Sequence, residues 1–105
     1  MAKEYLLQYG RCEYGSTPRN YYTDDSEDVV YIAERIMFNP IYDLGDNYVC
    51  ISEREEDDVK PFRTVLEYFR DDDNLRVYDY PDQLECNPVV NRWIGVLKVY
   101  REKKV

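Results

Sequence analysis

The chain has 105 residues, of which 44% are hydrophobic and 34% are charged, which suits one folded domain over residues 1–105 and excludes two. Acidic residues number 22 and basic residues 14, so the formal net charge is −8. Because nucleic-acid binding depends on Lys and Arg side chains, this balance argues against direct contact with DNA or RNA.

The first third of the chain predicts a strand, a loop and a helix. Aromatic and leucine side chains alternate with other residues from Glu4 to Tyr14, and a period of two is typical of a strand. Turn-forming residues occupy 15–20, and hydroxyl and acidic residues at 23–28 can cap a helix. Apolar residues at i, i+3, i+4 and i+7 from Val29 predict that helix, which Pro40 ends.

The middle of the chain predicts a hairpin and a second helix. Residues 41–44 and 48–52 flank a Gly-Asp-Asn turn, which favours an antiparallel pair of strands. The next apolar residues recur at helical spacing and predict a helix that ends before the aspartates at 71–73. That apolar stripe consists of Val59, Phe62, Val65, Leu66 and Phe69.

The last third of the chain predicts two more strands. Side chains alternate at 75–80, a loop is expected at 81–92, and the β-prone run from Trp93 to Arg101 predicts a fifth strand. The complete order predicts an α+β fold, namely a two-layer sandwich with the ferredoxin-like βαββαβ arrangement and an additional C-terminal strand.

The sequence contains no histidine, which removes the commonest general base and the commonest metal ligand. A Ser-His-Asp or Cys-His site is therefore excluded, and the run from Asp71 to Leu75 lacks both the spacing and the glycine of a calcium loop. We expect no catalytic residues, no metal site and no cofactor, and hence a protein that is not an enzyme.

The cysteines and the apolar segments bear on location. Cys12, Cys50 and Cys86 are an odd number without a close pair, which indicates reduced and buried thiols. The first residues lack the apolar stretch of a signal peptide, and no window approaches the roughly 20 apolar residues of a membrane span. These features predict a cytoplasmic protein with no membrane contact.

Acidic residues concentrate between Asn20 and Asp82, a segment that contains 18 acidic and 6 basic residues. The groups at 24–28 and 53–58 lie at or just before predicted helix starts, where carboxylates stabilise the helix dipole. The group at 71–73 would lie at the end of the predicted second helix, where carboxylates cost stability, so a functional reason for it is favoured.

We therefore predict a partner-binding surface made of acidic residues with tyrosines beside them, since rigid aromatic rings can anchor a contact that charge steers. The predicted surface comprises Glu55, Glu56, Asp57, Asp58, Asp71, Asp72, Asp73, Tyr78, Asp79, Tyr80 and Asp82.

These features predict a small non-catalytic inhibitor that occupies the basic nucleic-acid-binding site of a partner protein, such as a nucleic-acid-processing enzyme, by charge mimicry. In size, acidity and single-domain format the chain resembles phage- or plasmid-encoded inhibitors and toxin-neutralising immunity proteins. The resemblance is one of composition and assigns no residue.

Two alternatives remain open at this point. An assembly subunit that forms a homodimer or larger homo-oligomer is the first, because an exposed fifth strand or a face of tyrosines would invite contact between copies. A small metal-dependent nuclease is the second, with Glu13 at the end of the first strand as its candidate metal ligand.

Overall fold

A computed structural model describes residues 3–11, 15–38, 46–56, 59–78 and 87–103. These residues form an α+β fold in which a five-stranded antiparallel sheet carries two helices, and the strand order is β2-β1-β3-β4-β5. The elements in chain order are β1 (Lys3–Gly10), β2 (Arg19–Thr23), α1 (Ser26–Phe38), β3 (Tyr48–Glu55), β4 (Arg63–Phe69), β5 (Asn74–Val77) and α2 (Pro88–Lys103).

The register of the strands places one continuous apolar row under the helices. Leu7 of β1 lies opposite Tyr21 of β2 and Ile51 of β3, and Ile51 lies opposite Leu66 of β4, which faces Val77 of β5. Successive strand residues point to opposite faces, so the neighbours two positions away share this face and extend the core. Both helices cover this face of the sheet.

The predicted first helix is confirmed as α1, and its sequence explains both its start and its buried side. The Asp25 carboxylate accepts a hydrogen bond from the Glu27 amide at 2.9 Å, which caps the helix. Val29, Ala33 and Met37 recur every four residues and are buried against the sheet. The predicted first strand is confirmed over β1, whereas residues 12–14 lie outside the described part of the chain.

The predicted fifth strand is wrong, because residues 93–101 belong to α2. The helix starts earlier than the β-prone run, at Asn87, whose side-chain oxygen accepts hydrogen bonds from the amides of Val89 at 3.0 Å and Val90 at 3.4 Å. Pro88 then occupies the first helical position, where no amide partner is lost. From this start Val90, Trp93 and Leu97 fall on one buried side with helical spacing.

The predicted second helix is also wrong, because its central residues form the strand β4. The register between β3 and β4 shifts after Ile51, so that Ile51 lies opposite Leu66 and Ser52 lies opposite Thr64. Val65 is the extra residue of this β-bulge, and both Val65 and Leu66 are buried. The bulge interrupts the period of two and leaves apolar residues at spacings that resemble those of a helix.

The α+β class is therefore confirmed, whereas the ferredoxin-like order and the additional C-terminal strand are not, since the described elements follow the order ββαβββα. The unpredicted strand β2 begins at Arg19, inside the segment expected to be a loop. The predicted strand at 48–52 is confirmed within β3, and that at 75–80 is confirmed in part by β5. The predicted strand at 41–44 lies outside the described residues.

The two helices lie side by side and run in roughly the same direction. Glu27 near the start of α1 pairs with Arg92 near the start of α2 at 2.7 Å. At the other ends the ring of Phe38 stacks on Tyr100 with centroids 4.1 Å apart. Neither described helix has the length and apolar character needed to cross a membrane.

The capping of α2 by Asn87 leads to a stability prediction. Asn87→Ala removes the oxygen that accepts the Val89 and Val90 amides, and we expect it to lower the free energy of unfolding by about 1–2 kcal/mol. Urea denaturation followed by circular dichroism measures this change. Asn87→Ser is the matched control because serine also caps helices well, and a loss as large as that of the alanine variant would contradict the capping role.

Candidate functional site

A groove of 640 Å³ runs between α1 and α2 on the outer side of the helix layer. Two helices that lie side by side leave such a depression where their ridges diverge. Its lining from α1 and the preceding residues is Asp25, Glu27, Asp28, Val30, Tyr31 and Glu34. Its lining from α2 is Arg92, Gly95, Val96 and Val99.

The rim of the groove is acidic, with four carboxylates against one guanidinium. Two of these carboxylates have side-chain partners, since Glu27 pairs with Arg92 and Asp28 accepts a hydrogen bond from the Tyr21 hydroxyl at 2.6 Å. Within the described part of the chain, Glu34 has neither a hydrogen bond nor an ion pair. The bond to Asp28 raises the pKa of Tyr21, because it stabilises the protonated phenol.

The centre of the groove is apolar and shallow. Val30 is buried and Val96 is partly buried, whereas Val99 is 51% exposed and Tyr31 is 48% exposed. Gly95 of α2, which directly precedes Val96, also lines the groove and adds no side chain. The groove therefore offers an apolar strip bordered by negative charge.

The aspartates predicted as part of a binding surface form the β4–β5 turn instead of a helix end. Asp71 accepts a hydrogen bond from the Asn47 side chain at 2.9 Å. Asp72 is exposed and has no partner within the described residues. Asp73 has a φ of 48°, a left-handed conformation that aspartate tolerates better than most residues, and it ends the turn.

Asp73 holds α2 against the sheet. Its carboxylate accepts a hydrogen bond from the buried Tyr68 hydroxyl at 2.8 Å and two from the Arg101 guanidinium, at 2.9 and 3.3 Å. Arg70, at the start of the same turn, donates to the Met37 carbonyl in the last turn of α1 at 3.2 Å. The turn thus contacts the C-terminal ends of both helices and holds them in place. This is a structural reason for an acidic residue at position 73.

Glu55 and Glu56 of the predicted surface lie at the opposite end of β3 from this turn. Glu55 is the last residue of β3, where it pairs with Lys3, and Glu56 follows it, whereas Tyr48 at the start of β3 pairs with Phe69 beside the turn. Seven residues at about 3.3 Å each put these two ends roughly 23 Å apart. Tyr78 follows β5 and is 48% exposed. The other predicted members, Asp57, Asp58, Asp79, Tyr80 and Asp82, lie outside the described residues.

The sheet end that carries Glu55 contains many basic residues. A pocket of 340 Å³ there is lined by Lys3, Arg54, Lys60 and Arg63 together with Pro61 and two glutamates. The buried Glu53 pairs with Lys3 at 3.2 Å and with Arg63 at 3.1 Å. The described carboxylates of the predicted surface are thus separated, and one group is interspersed with cations.

The face of the sheet opposite the helices is partly covered by an aromatic residue. Phe62 contacts the ring of Tyr22 at 6.0 Å, and the Arg54 guanidinium lies 4.3 Å from its centroid. Cys50 on this face is a free thiol of intermediate exposure, and burial raises its pKa. Cys12 and Cys86 lie outside the described residues.

Sequence reasoning missed the groove because it interpreted residues 24–28 as helix capping alone and assigned α2 as a strand. The detectable signal was the helical spacing of Val89, Trp93 and Val96 after an Asn-Pro start.

Within the described residues no three His, Cys, Asp or Glu side chains are grouped to hold a metal ion. Scans of protein-family models, curated proteins and solved structures each returned no match for this chain.

The contact between Tyr68 and Asp73 leads to a prediction on alkaline stability. Burial, and then the hydrogen bond to Asp73, raise the pKa of Tyr68 well above its ordinary value of 10. The protonated phenol therefore contributes stability that is complete below pH 10 and is lost as the pH rises above it.

We expect Tyr68→Phe to lower the free energy of unfolding by about 1.5 kcal/mol at neutral pH, because the hydrogen bond to a carboxylate is lost. The difference between the variant and the unchanged protein should shrink above pH 10. Guanidinium unfolding at several pH values measures it, with Tyr78→Phe at the surface as control. A constant difference across the whole pH range would argue against the contact.

Proposed function

We propose that this protein is a small non-catalytic binding protein whose acidic surface occupies the basic, nucleic-acid-binding site of another protein. The observation that carries the proposal is the acidic groove between α1 and α2, where four carboxylates and one guanidinium border an apolar strip. A binding surface needs both components, since charge steers association and desolvated apolar contacts supply most of the affinity.

The arrangement of the carboxylates supports a nucleic-acid-binding site as the target. Asp25 and Glu34 bound the acidic rim along α1, and nine residues at about 1.5 Å each separate them by roughly 14 Å. Phosphates of one DNA strand advance by about 3.4 Å each along the helix axis, so roughly 14 Å of axis holds about four of them. The rim carries four carboxylates over this length, with three of them at the start of α1. A cationic site that receives a phosphate backbone can therefore receive this row of carboxylates.

The assembly alternative depended on an exposed fifth strand or on a face of tyrosines. Residues 93–101 lie in α2, so the fifth strand no longer supports it, whereas the tyrosine face stays a prediction. The nuclease alternative depended on Glu13, which lies outside the described residues, so no contact in the structure favours it. We propose charge mimicry because the acidic groove supports it.

The proposal predicts that the position of the charges matters as well as their number. One triple variant neutralises three carboxylates of the groove lining with Asp25→Asn, Asp28→Asn and Glu34→Gln, and asparagine at position 25 still caps α1. Its control neutralises three exposed carboxylates elsewhere with Glu56→Gln, Asp72→Asn and Glu102→Gln. Both variants change the net charge by three, so overall attraction to a cation falls equally.

The measurement uses the immobilised protein and a lysate of its source cells at low ionic strength. We expect it to retain a basic nucleic-acid-binding protein that duplex DNA releases, and the groove variant to bind that purified protein about tenfold more weakly while the control stays within about twofold. Retention that duplex DNA does not reverse would contradict mimicry. A tenfold loss in the control instead would move the contact to the surface predicted from sequence.

A further inference from the structure

We propose that the groove between α1 and α2 binds an amphipathic basic helix of the partner, with the apolar ridge of that helix on the valines and its Arg or Lys side chains facing the acidic rim. This inference rests on the proposed function and adds the binding surface and the kind of segment that it takes. Three observations carry it: the shape of the groove, a glycine in α2, and the sign of the rim charge.

The shape of the groove suits a helix. Its 640 Å³ lies between two helices that run in the same direction, and its apolar residues on α2 are Val96 and Val99, which are three positions apart. A third helix can place an i, i+3, i+4 ridge into such a groove by ordinary helix packing. The exposed parts of Tyr31 and Val99 become buried in that arrangement.

Gly95 indicates that something approaches α2 closely. A glycine inside a helix is unfavourable relative to alanine, because it adds backbone freedom to the unfolded chain. Packing within the described part of the chain does not require it, since a Cβ atom at position 95 would meet no atom of these residues within 4 Å. The missing side chain keeps the middle of the groove open, which allows the backbone of a second helix to come near.

The charge of the rim selects the occupant. Asp25, Asp28 and Glu34 border the groove in addition to the ion-paired Glu27 and Arg92, and the Arg35 guanidinium lies 4.6 Å from the ring centroid of the lining residue Tyr31. Carboxylates still outnumber guanidinium groups four to two, so the rim attracts cations. A second copy of this protein would bring the same acidic rim against itself, which like-charge repulsion opposes. A basic helix with one apolar side complements both the rim and the floor.

The test uses a synthetic helical peptide of about 18 residues, long enough to hold helix, with leucines at i, i+3, i+4 and i+7 flanked by arginines. A scrambled peptide of the same composition keeps the charge and destroys the ridge. We expect the unscrambled peptide to bind about tenfold more tightly in fluorescence anisotropy and to shift the amide NMR signals of groove residues.

Two single variants locate the contact on this protein. Gly95→Leu fills the groove and should weaken peptide binding about tenfold, while the melting temperature should not fall, because leucine favours helix and position 95 has open space. Glu34→Gln should weaken binding about threefold and reduce its dependence on salt. The matched control is Glu102→Gln, which removes an exposed carboxylate of α2 away from the groove lining and should stay within about twofold.

The outcomes separate this inference from the proposed function. One outcome is that both peptides bind equally at low salt, with the Gly95→Leu variant binding as tightly as the unchanged protein. That result would support the proposed attraction to a basic partner and would overturn the inference that the groove binds a helix. If neither peptide binds at low salt, the inference and the proposed attraction to a basic partner both fail. A molecular mass that doubles with concentration and is reversed by Gly95→Leu would assign the groove to a second copy and overturn the inference.

Discussion

The attachment of α2 to the sheet is the constraint on which the rest of the structure depends. At its start Asn87 caps the helix, and its side-chain nitrogen lies 3.5 Å from the carboxylate of Glu53, which is 4% exposed. In its middle Trp93 is fully buried, with Tyr68 at an edge contact of 5.6 Å. Near its end Arg101 pairs with Asp73. Three anchors along one helix fix both its position and its rotation, so the side of α2 that faces α1 is defined and the groove has a definite shape.

This attachment also divides the acidic residues into two groups with different roles. Asp73 and Glu53 have partners that hold elements together, and removing a partner of the buried Glu53 is costly. Glu34 and Asp72 face solvent without a described partner, and only Glu34 borders an apolar strip. Net charge therefore predicts attraction to cations in general, whereas the folded arrangement decides which carboxylates can take part in one contact.

The sequence predicted the parts of the fold that local signals determine. The helix α1 has a cap and an uninterrupted stripe from Val29, so both signals agree. The strand β4 was mistaken for a helix because the bulge at Val65 hides its alternation, and a bulge is formed by pairing with another strand. The helix α2 was mistaken for a strand because β-propensity was weighed without the cap at Asn87. The groove could not be predicted, since it needs two helices about 60 residues apart to become neighbours.

Both helices run in the same direction, and this explains why some carboxylates of the acidic rim stabilise the helices. It leaves one carboxylate of the rim without such a role. Because Glu27 lies beside Arg92 and Phe38 beside Tyr100, both N-terminal ends converge at one end of the groove. The positive ends of two helix dipoles then meet there, and carboxylates at 25–28 are favourable for that reason alone. Glu34 lies two turns further along α1, where the dipole at the N-terminus has little influence. The proposed partner contact would give that carboxylate a role that neither capping nor an ion pair supplies, so position 34 distinguishes a binding surface from a helix-stabilising one.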